Sequence, residues 1–267
     1  MGLKQDLTAA RETVGAVLHN TNTALADYGI APLGTLAALP EALDTVYERG
    51  AAVENRRFWE AYQSGGNRKD YSNAFSGDGW NEDTFTPLYD IRVVGSGLNL
   101  FSNIKISNLT ETLAKYRVTL DTSGATTLNY AFCSDTIARV PTVSTVSVSK
   151  LQCVFWWSHH LQQIDRLVLK EDGSQVFEST FDGCTALTEI RVEGTVGESI
   201  NLQWSPLTVE SMKSIISCLK NYAGTPQQGT KTVRFSDSRW AALEADSVAP
   251  DGGTWRNYVV SVLGWSM

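Results

Sequence analysis

Three stretches in the middle of the chain repeat one apolar pattern: Tyr130-Ala131-Phe132 followed by Ile137 and Val140, Val154-Phe155 followed by Leu161 and Ile164, and Thr180-Phe181 followed by Leu187 and Ile190. The phenylalanines step by 23 and 26 residues, and the first aliphatic residues (137, 161, 187) by 24 and 26. A unit this short has an apolar edge that it cannot bury alone, so the units must stack, and each Phe, Leu and Ile must land on its counterpart in the next coil. The expected body is a solenoid, an extended surface suited to holding a large partner.

The 267 residues are 42% hydrophobic and 19% charged, enough apolar material for a substantial core. Net charge is -7, and the basic residues cluster no further than pairs such as Arg56-Arg57 and Arg68-Lys69. Binding to a phosphate backbone requires a cationic stripe, so nucleic acid is not an expected partner. Lys4, Asp6, Arg11 and Glu12 interrupt the first apolar spacing, and no run of 18 apolar residues occurs, so neither a secretory leader nor membrane insertion is expected.

Leu3, Leu7, Ala10, Val14, Val17, Thr21, Ala24 and Tyr28 alternate at spacings of four and three, a heptad seam. It reads either as a coiled coil joining two or three chains, chiefly through Leu3, Leu7, Val14, Val17 and Tyr28, or as an amphipathic helix packed on a second helix of the same chain. Gly29 and Pro32 close it, and a second helical pattern runs from Pro40 to Ala61, ended by Ser64-Gly65-Gly66-Asn67. Beyond it Gly, Asn, Ser and Thr punctuate short apolar runs, as in a coiled β-rich body. Tyr71, Phe75, Trp80 and Phe85 are expected to form an N-terminal cap core, and degenerate repeats are expected over 88 to 128, through Ile91, Val93, Phe101, Ile104, Leu109 and Leu113. Toward the end, Met212, Ile215, Ile216 and Leu219 predict a helix over 208 to 222. A strand at Lys231 to Phe235, a helix at Ser238 to Ala245 and a last helix at Trp255 to Val262 complete the expected C-terminal cap.

The fold class is therefore α+β, with a helical segment at 1–64, a repeat solenoid with an aromatic cap at 65–205 and an α/β capping module at 206–267. A period of about 20 to 29 residues with an L-x-x-L/I core marks leucine-rich repeats.

Motifs for catalysis are missing: there is no G-x-S-x-G, H-E-x-x-H or G-x-x-x-x-G-K, and acids such as Glu82-Asp83 and Glu171-Asp172 are adjacent pairs suited to solvated turns. Neither enzyme activity nor a cofactor is expected. Cys133, Cys153, Cys184 and Cys218 form no C-x-x-C pair and read as small packed hydrophobes. Metal binding is not expected either, because His159 and His160 on an extended chain would point to opposite faces. The candidate binding residues are Trp156, Trp157, His159 and His160, crowded into one repeat turn, since tryptophan is enriched at binding hot spots and on sugar-stacking surfaces. Strand alternation predicts one tryptophan buried and the other partly exposed.

The repeat at Phe181-Asp182-Gly183-Cys184-Thr185-Ala186-Leu187-Thr188-Glu189-Ile190 resembles the BspA-like leucine-rich repeats of bacterial and phage surface proteins. The resemblance is good over residues 125 to 195, although the Cys133 and Val154 copies lack the Gly-Cys pair. The Phe58 to Ile91 segment and the Lys231 to Ser266 module are similar to proteins encoded in tail regions of phages and prophages of Gram-positive gut bacteria. This resemblance implies a virion tail or fibre protein, made in the bacterial cytoplasm and extracellular after lysis. Its N-terminal helices would attach to other virion proteins, and its solenoid would face a host cell-surface protein or glycan. A virion decoration or adaptor binding only virion proteins, and a bacterial surface or scaffold protein, are the alternatives.

Overall fold

The structure, a computed structural model, describes residues 71–87 and 90–267, all within the unit Asn67–Met267. The expected helices of segment 1–64 and the heptad residues Leu3, Leu7, Val14, Val17 and Tyr28 lie outside the described residues.

The body is a parallel β-solenoid. Strand β1 (Ile91–Ser96) pairs with β2 (Leu120–Thr127), β3 (Arg139–Ser144), β4 (Gln163–Val168) and β5 (Glu189–Glu193) form a sheet in that order, and β6 (Ile200–Asn201) pairs with β7 (Val233–Arg234), all in parallel. Parallel neighbours need a long crossover, and here each crossover is the rest of one coil. The aliphatic residues meet as their spacing requires: Val140 is in register with Ile164, and Ile164 with Ile190. Val143, Leu167 and Val192 form the next buried row. From Ile164 to Leu167 there are two outward residues, but from Ile190 to Val192 only one, and the register shift between β4 and β5 absorbs the extra residue as a bulge.

Opposite the strands, the phenylalanines form a continuous column of near-parallel rings. Phe75–Phe101, Phe101–Phe132, Phe132–Phe155 and Phe155–Phe181 have centroids 5.3, 5.6, 5.5 and 5.6 Å apart and interplanar angles of 21°, 28°, 21° and 13°. The column is buried throughout. Phe75 thus belongs to the repeat as well as to the cap, where it meets Trp80 and Phe85 edge-on.

The turn carrying each phenylalanine is built the same way every time. Two residues before the ring the backbone is left-handed, at Asn73, Asn99, Tyr130, Cys153 and Ser179, with φ between 48° and 57°. For a residue with a Cβ this costs about 1–2 kcal/mol. Hydrogen bonds between coils hold the conformation: the amides of Asn73, Phe75 and Gly77 donate to the carbonyls of Leu98, Leu100 and Ser102, and those of Asn99, Phe101 and Asn103 to Asn129, Ala131 and Cys133. Cys153, Phe155 and Trp157 donate to Glu178, Thr180 and Asp182 in turn. Buried side chains extend this ladder. Ser134 Oγ donates to the Ile104 carbonyl at 2.9 Å, Ser158 Oγ to Phe132 at 3.0 Å and Cys184 Sγ to Phe155 at 3.1 Å. Gln175 is fully buried; its Nε2 donates to the carbonyls of Thr145 and Val148 and to Thr145 Oγ1, and its Oε1 accepts from the Lys170 amide.

Helices take the place of strands on both flanks of the three-stranded sheet. Helix α1 (Leu109–Tyr116), started by Asn108 Oδ1 accepting the Glu111 amide, occupies the strand position before β3 and buries Leu109 and Leu113. The segment expected to hold only degenerate repeats therefore contains a helix. Its neighbour Ser107 receives the amides of Ala138 and Arg139. Helix α2 (Val209–Ser217), capped by Thr208, lies against β5, and Ser211 Oγ and Ser214 Oγ accept the amides of Ile190 and Val192 at 3.0 and 2.9 Å. Two serines one helical turn apart thus satisfy an outer strand's donors.

Helix α2 is shorter than the range 208 to 222 expected for it, and the strand at 231 to 235 shrinks to β7. Helix α3 (Asp237–Asp246) and helix α4 (Trp255–Asn257), continued by a wider π turn at Tyr258–Val262, form the cap. Trp240 and Trp265 are buried there, and the Trp265 indole N–H donates to the Lys220 carbonyl at 2.7 Å. No helix among the described residues is long and apolar enough to cross a membrane.

Candidate functional site: an exposed aromatic row

Phe155 fixes the start of the site by pointing into the column, and the next two residues both turn out to solvent. Trp156 is 37% exposed and Trp157 56% exposed. The expected division into one buried and one exposed tryptophan is therefore corrected. Alternation holds for extended backbone, whereas Trp157 is left-handed with φ 59° in a turn, which brings its side chain round to the same side.

The two indoles lie 5.5 Å apart at 39°, the Tyr130 ring of the preceding coil meets Trp156 edge-on at 6.2 Å, and the His159 imidazole meets Trp157 at 4.9 Å and 67°. The result is a contiguous row of four rings across two coils. The Tyr130 phenol is held above its ordinary range, first by its hydrogen bond with Cys153, and stays protonated. Gly183, one coil on, makes the row possible: a Cβ there would stand 2.9 Å from Trp157 Cα and 3.4 Å from its indole, and Gly183 has φ +84°. Trp204, 63% exposed, stands beyond, next to Ser205, whose hydroxyl donates to the Cys184 carbonyl.

The two histidines diverge. His159 Nδ1 lies 3.5 Å from Thr185 Oγ1 in the following coil, while His160 Nδ1 lies 3.2 Å from Asp135 Oδ1 in the preceding one. His160 thus belongs to the polar rim. No three of His, Cys, Asp and Glu converge as metal ligands among the described residues. A second polar line runs beside the rings: Asn129 Nδ2 donates to Gln152 Oε1 at 3.2 Å, Gln152 Nε2 reaches Glu178 Oε1 at 3.4 Å, and Lys150 pairs with Glu178. Tyr130, Trp204 and this polar line escaped the sequence reading. The line keeps a constant offset, three residues before Phe132, Phe155 and Phe181, which the spacing could have shown, whereas Tyr130 precedes its phenylalanine by two residues and Trp156 follows its own by one, so only the folded turns bring those rings together.

The four cysteines are free. Cys184 is fully buried, and loss of water drives its thiol far above the ordinary range; Cys133 and Cys218 are half-buried and shifted the same way by burial.

The strand face offers a different concavity, a groove of about 740 Å³ over β4 and β5 against α2, lined by Gln163, Asp165, Glu189, Arg191, Glu210 and Ser211 among others. Its charges are largely engaged. Asp165 takes Arg139 Nε at 2.7 Å and Thr110 Oγ1 at 2.9 Å, and Arg191 reaches Glu193 at 3.2 Å. The aromatic row, in contrast, leaves both tryptophans exposed beside half-buried Tyr130 and His159, and it is the stronger candidate. Stacking and hydrogen bonding are the chemistry it can supply.

Compared with protein-family models, with curated proteins and with solved structures, the chain matches none of them.

Proposed function

We propose that this chain is a phage virion protein of the tail or fibre class, a leucine-rich-repeat solenoid displayed for attachment to the host cell surface. The row Tyr130–Trp156–Trp157–His159, with both tryptophans exposed and mounted on a hydrogen-bonded stack, is the observation that carries the reading. Aromatic side chains held rigid before contact lose little conformational freedom on binding, so they yield more affinity per residue than mobile ones. The resemblance of residues 125 to 195 to BspA-like repeats, and of the flanking segments to phage tail-region proteins, supplies the virion setting. Oligomerisation through the N-terminal heptad residues would present several rows at once, and weak contacts would add by avidity.

The test is sedimentation of purified chain with Gram-positive gut strains. Capture by some strains, lost in the Trp156→Ala/Trp157→Ala variant, supports display for adhesion. Failure on every strain, with retention on purified phage tails, would replace it with the adaptor role.

A further inference from the structure

We propose that the aromatic row binds a neutral polysaccharide chain of the cell wall, laid along Tyr130, Trp156 and Trp157. This rests on the reading of the row as an attachment face and names what it attaches to.

Ring geometry narrows the ligand first. Centroid separations of 6.2, 5.5 and 4.9 Å along the row leave no slot between neighbouring rings, and the rings are tilted to one another by 88°, 39° and 67°, so the row is a stepped surface of separate ring faces rather than a cage around a cation. Ligands must lie on the outer faces. A pyranose ring does this through its C–H face, while its hydroxyls project sideways and need donors and acceptors at the margins. Both margins carry them. Asn129, Gln152 and Glu178 line one stretch, and His159, Thr185, His160 and Asp135 another.

Charge narrows it further. The rim carries the acids Asp135 and Glu178, Lys150 is already paired with Glu178, and the chain carries -7 overall. A polyanion such as a phosphate-linked wall polymer is repelled by this rim. Extent favours a narrow ligand. The exposed tryptophans, Trp156 and Trp157, are neighbours in one turn, whereas a stable protein interface covers about 800 Å² per partner around an apolar centre.

The experiment uses the full chain and Gram-positive cell walls in four states: untreated, protease-treated, stripped of phosphate polymers with hydrofluoric acid, and oxidised with periodate, which cleaves sugar vicinal diols. The expected result is co-sedimentation that survives protease and hydrofluoric acid and is lost after periodate. Trp156→Ala and Trp157→Ala should each weaken it about tenfold or more, with an unchanged thermal midpoint showing that both variants fold. Loss of binding after protease would overturn the glycan and leave the attachment reading standing, with a protein as receptor. Loss after hydrofluoric acid, or survival of periodate, would likewise overturn the neutral polysaccharide. Failure to bind whole cells and all four wall states would overturn both proposals.

Discussion

If the phenylalanine column acts as a chain of pairwise contacts, its rungs should couple to their nearest neighbours and to no others. Phe155 is fully buried with parallel rings on both sides, at 5.5 Å and 5.6 Å, whereas Phe181 ends the column and stacks on Phe155. Each ring pair is worth about 0.5–1.5 kcal/mol beyond the area it buries. Phe to Leu keeps most of the apolar area and leaves a small void costing about 1 kcal/mol. On this basis Phe155→Leu should cost about 2–4 kcal/mol and Phe181→Leu about 1.5–2.5 kcal/mol. The double variant removes their shared pair only once, so it should fall short of additivity by about 0.5–1.5 kcal/mol. Phe101→Leu with Phe181→Leu, which share no ring, should add to within about 0.5 kcal/mol. Urea unfolding followed by far-UV circular dichroism measures all of these. Equal additivity in the two double variants would show that the rings are merely buried near one another, and the nearest-neighbour argument would fail.

Gln175→Ala should cost about 2 kcal/mol or more, since it leaves the buried Val148 carbonyl and the Lys170 amide without their partner, while the Thr145 carbonyl keeps the Val148 amide; a midpoint shift under 1 °C in a thermal melt would contradict that. Cys184 should resist iodoacetamide at pH 8 in the folded protein while Cys133 and Cys218 react slowly, because burial holds its thiol protonated; mass mapping of the alkylated chain reads this directly, and early labelling of Cys184 would refute it. The hydrogen bond from Lys213 holds the Asp246 carboxyl below its ordinary range, so its contribution to stability is present above that range and is lost as pH falls through the folded-state value. Thermal melts of Asp246→Asn between pH 5 and pH 2 should therefore decline less than those of the parent chain, and parallel curves would count against the pairing.

The repeat was legible where one large side chain per coil had a single place to go. Phe132, Phe155 and Phe181, with Val140, Ile164 and Ile190, stand in the structure where their spacing puts them. Phe75 and Phe101 were harder to join to the series, because α1 lengthens the step from Phe101 to Phe132 to 31 residues and hides the period. Its leucines, Leu109 and Leu113, suit a helix and a loose repeat equally well. The aromatic row was half legible. Composition pointed to Trp156, Trp157 and His159, but alternation misjudged their faces, since nothing in Tyr130, Cys153 or Trp157 announces a left-handed backbone. Those residues adopt it because the coil above and the coil below accept and donate hydrogen bonds in fixed places, a condition that exists only once the coils are stacked. The polar line Asn129–Gln152–Glu178 stands three residues before each phenylalanine, but its side chains differ in type, so the shared offset does not show as a repeat of one residue.

The two serines of α2 have an effect beyond their own hydrogen bonds. By occupying the outward amides of Ile190 and Val192 they leave that flank of the sheet with nothing for a stray extended chain to zip onto. On the opposite flank, Pro141 has no amide to offer, and Ser107 already holds the amides of Ala138 and Arg139. Copies crowded side by side can therefore remain separate molecules at these flanks instead of fusing into a continuous fibril.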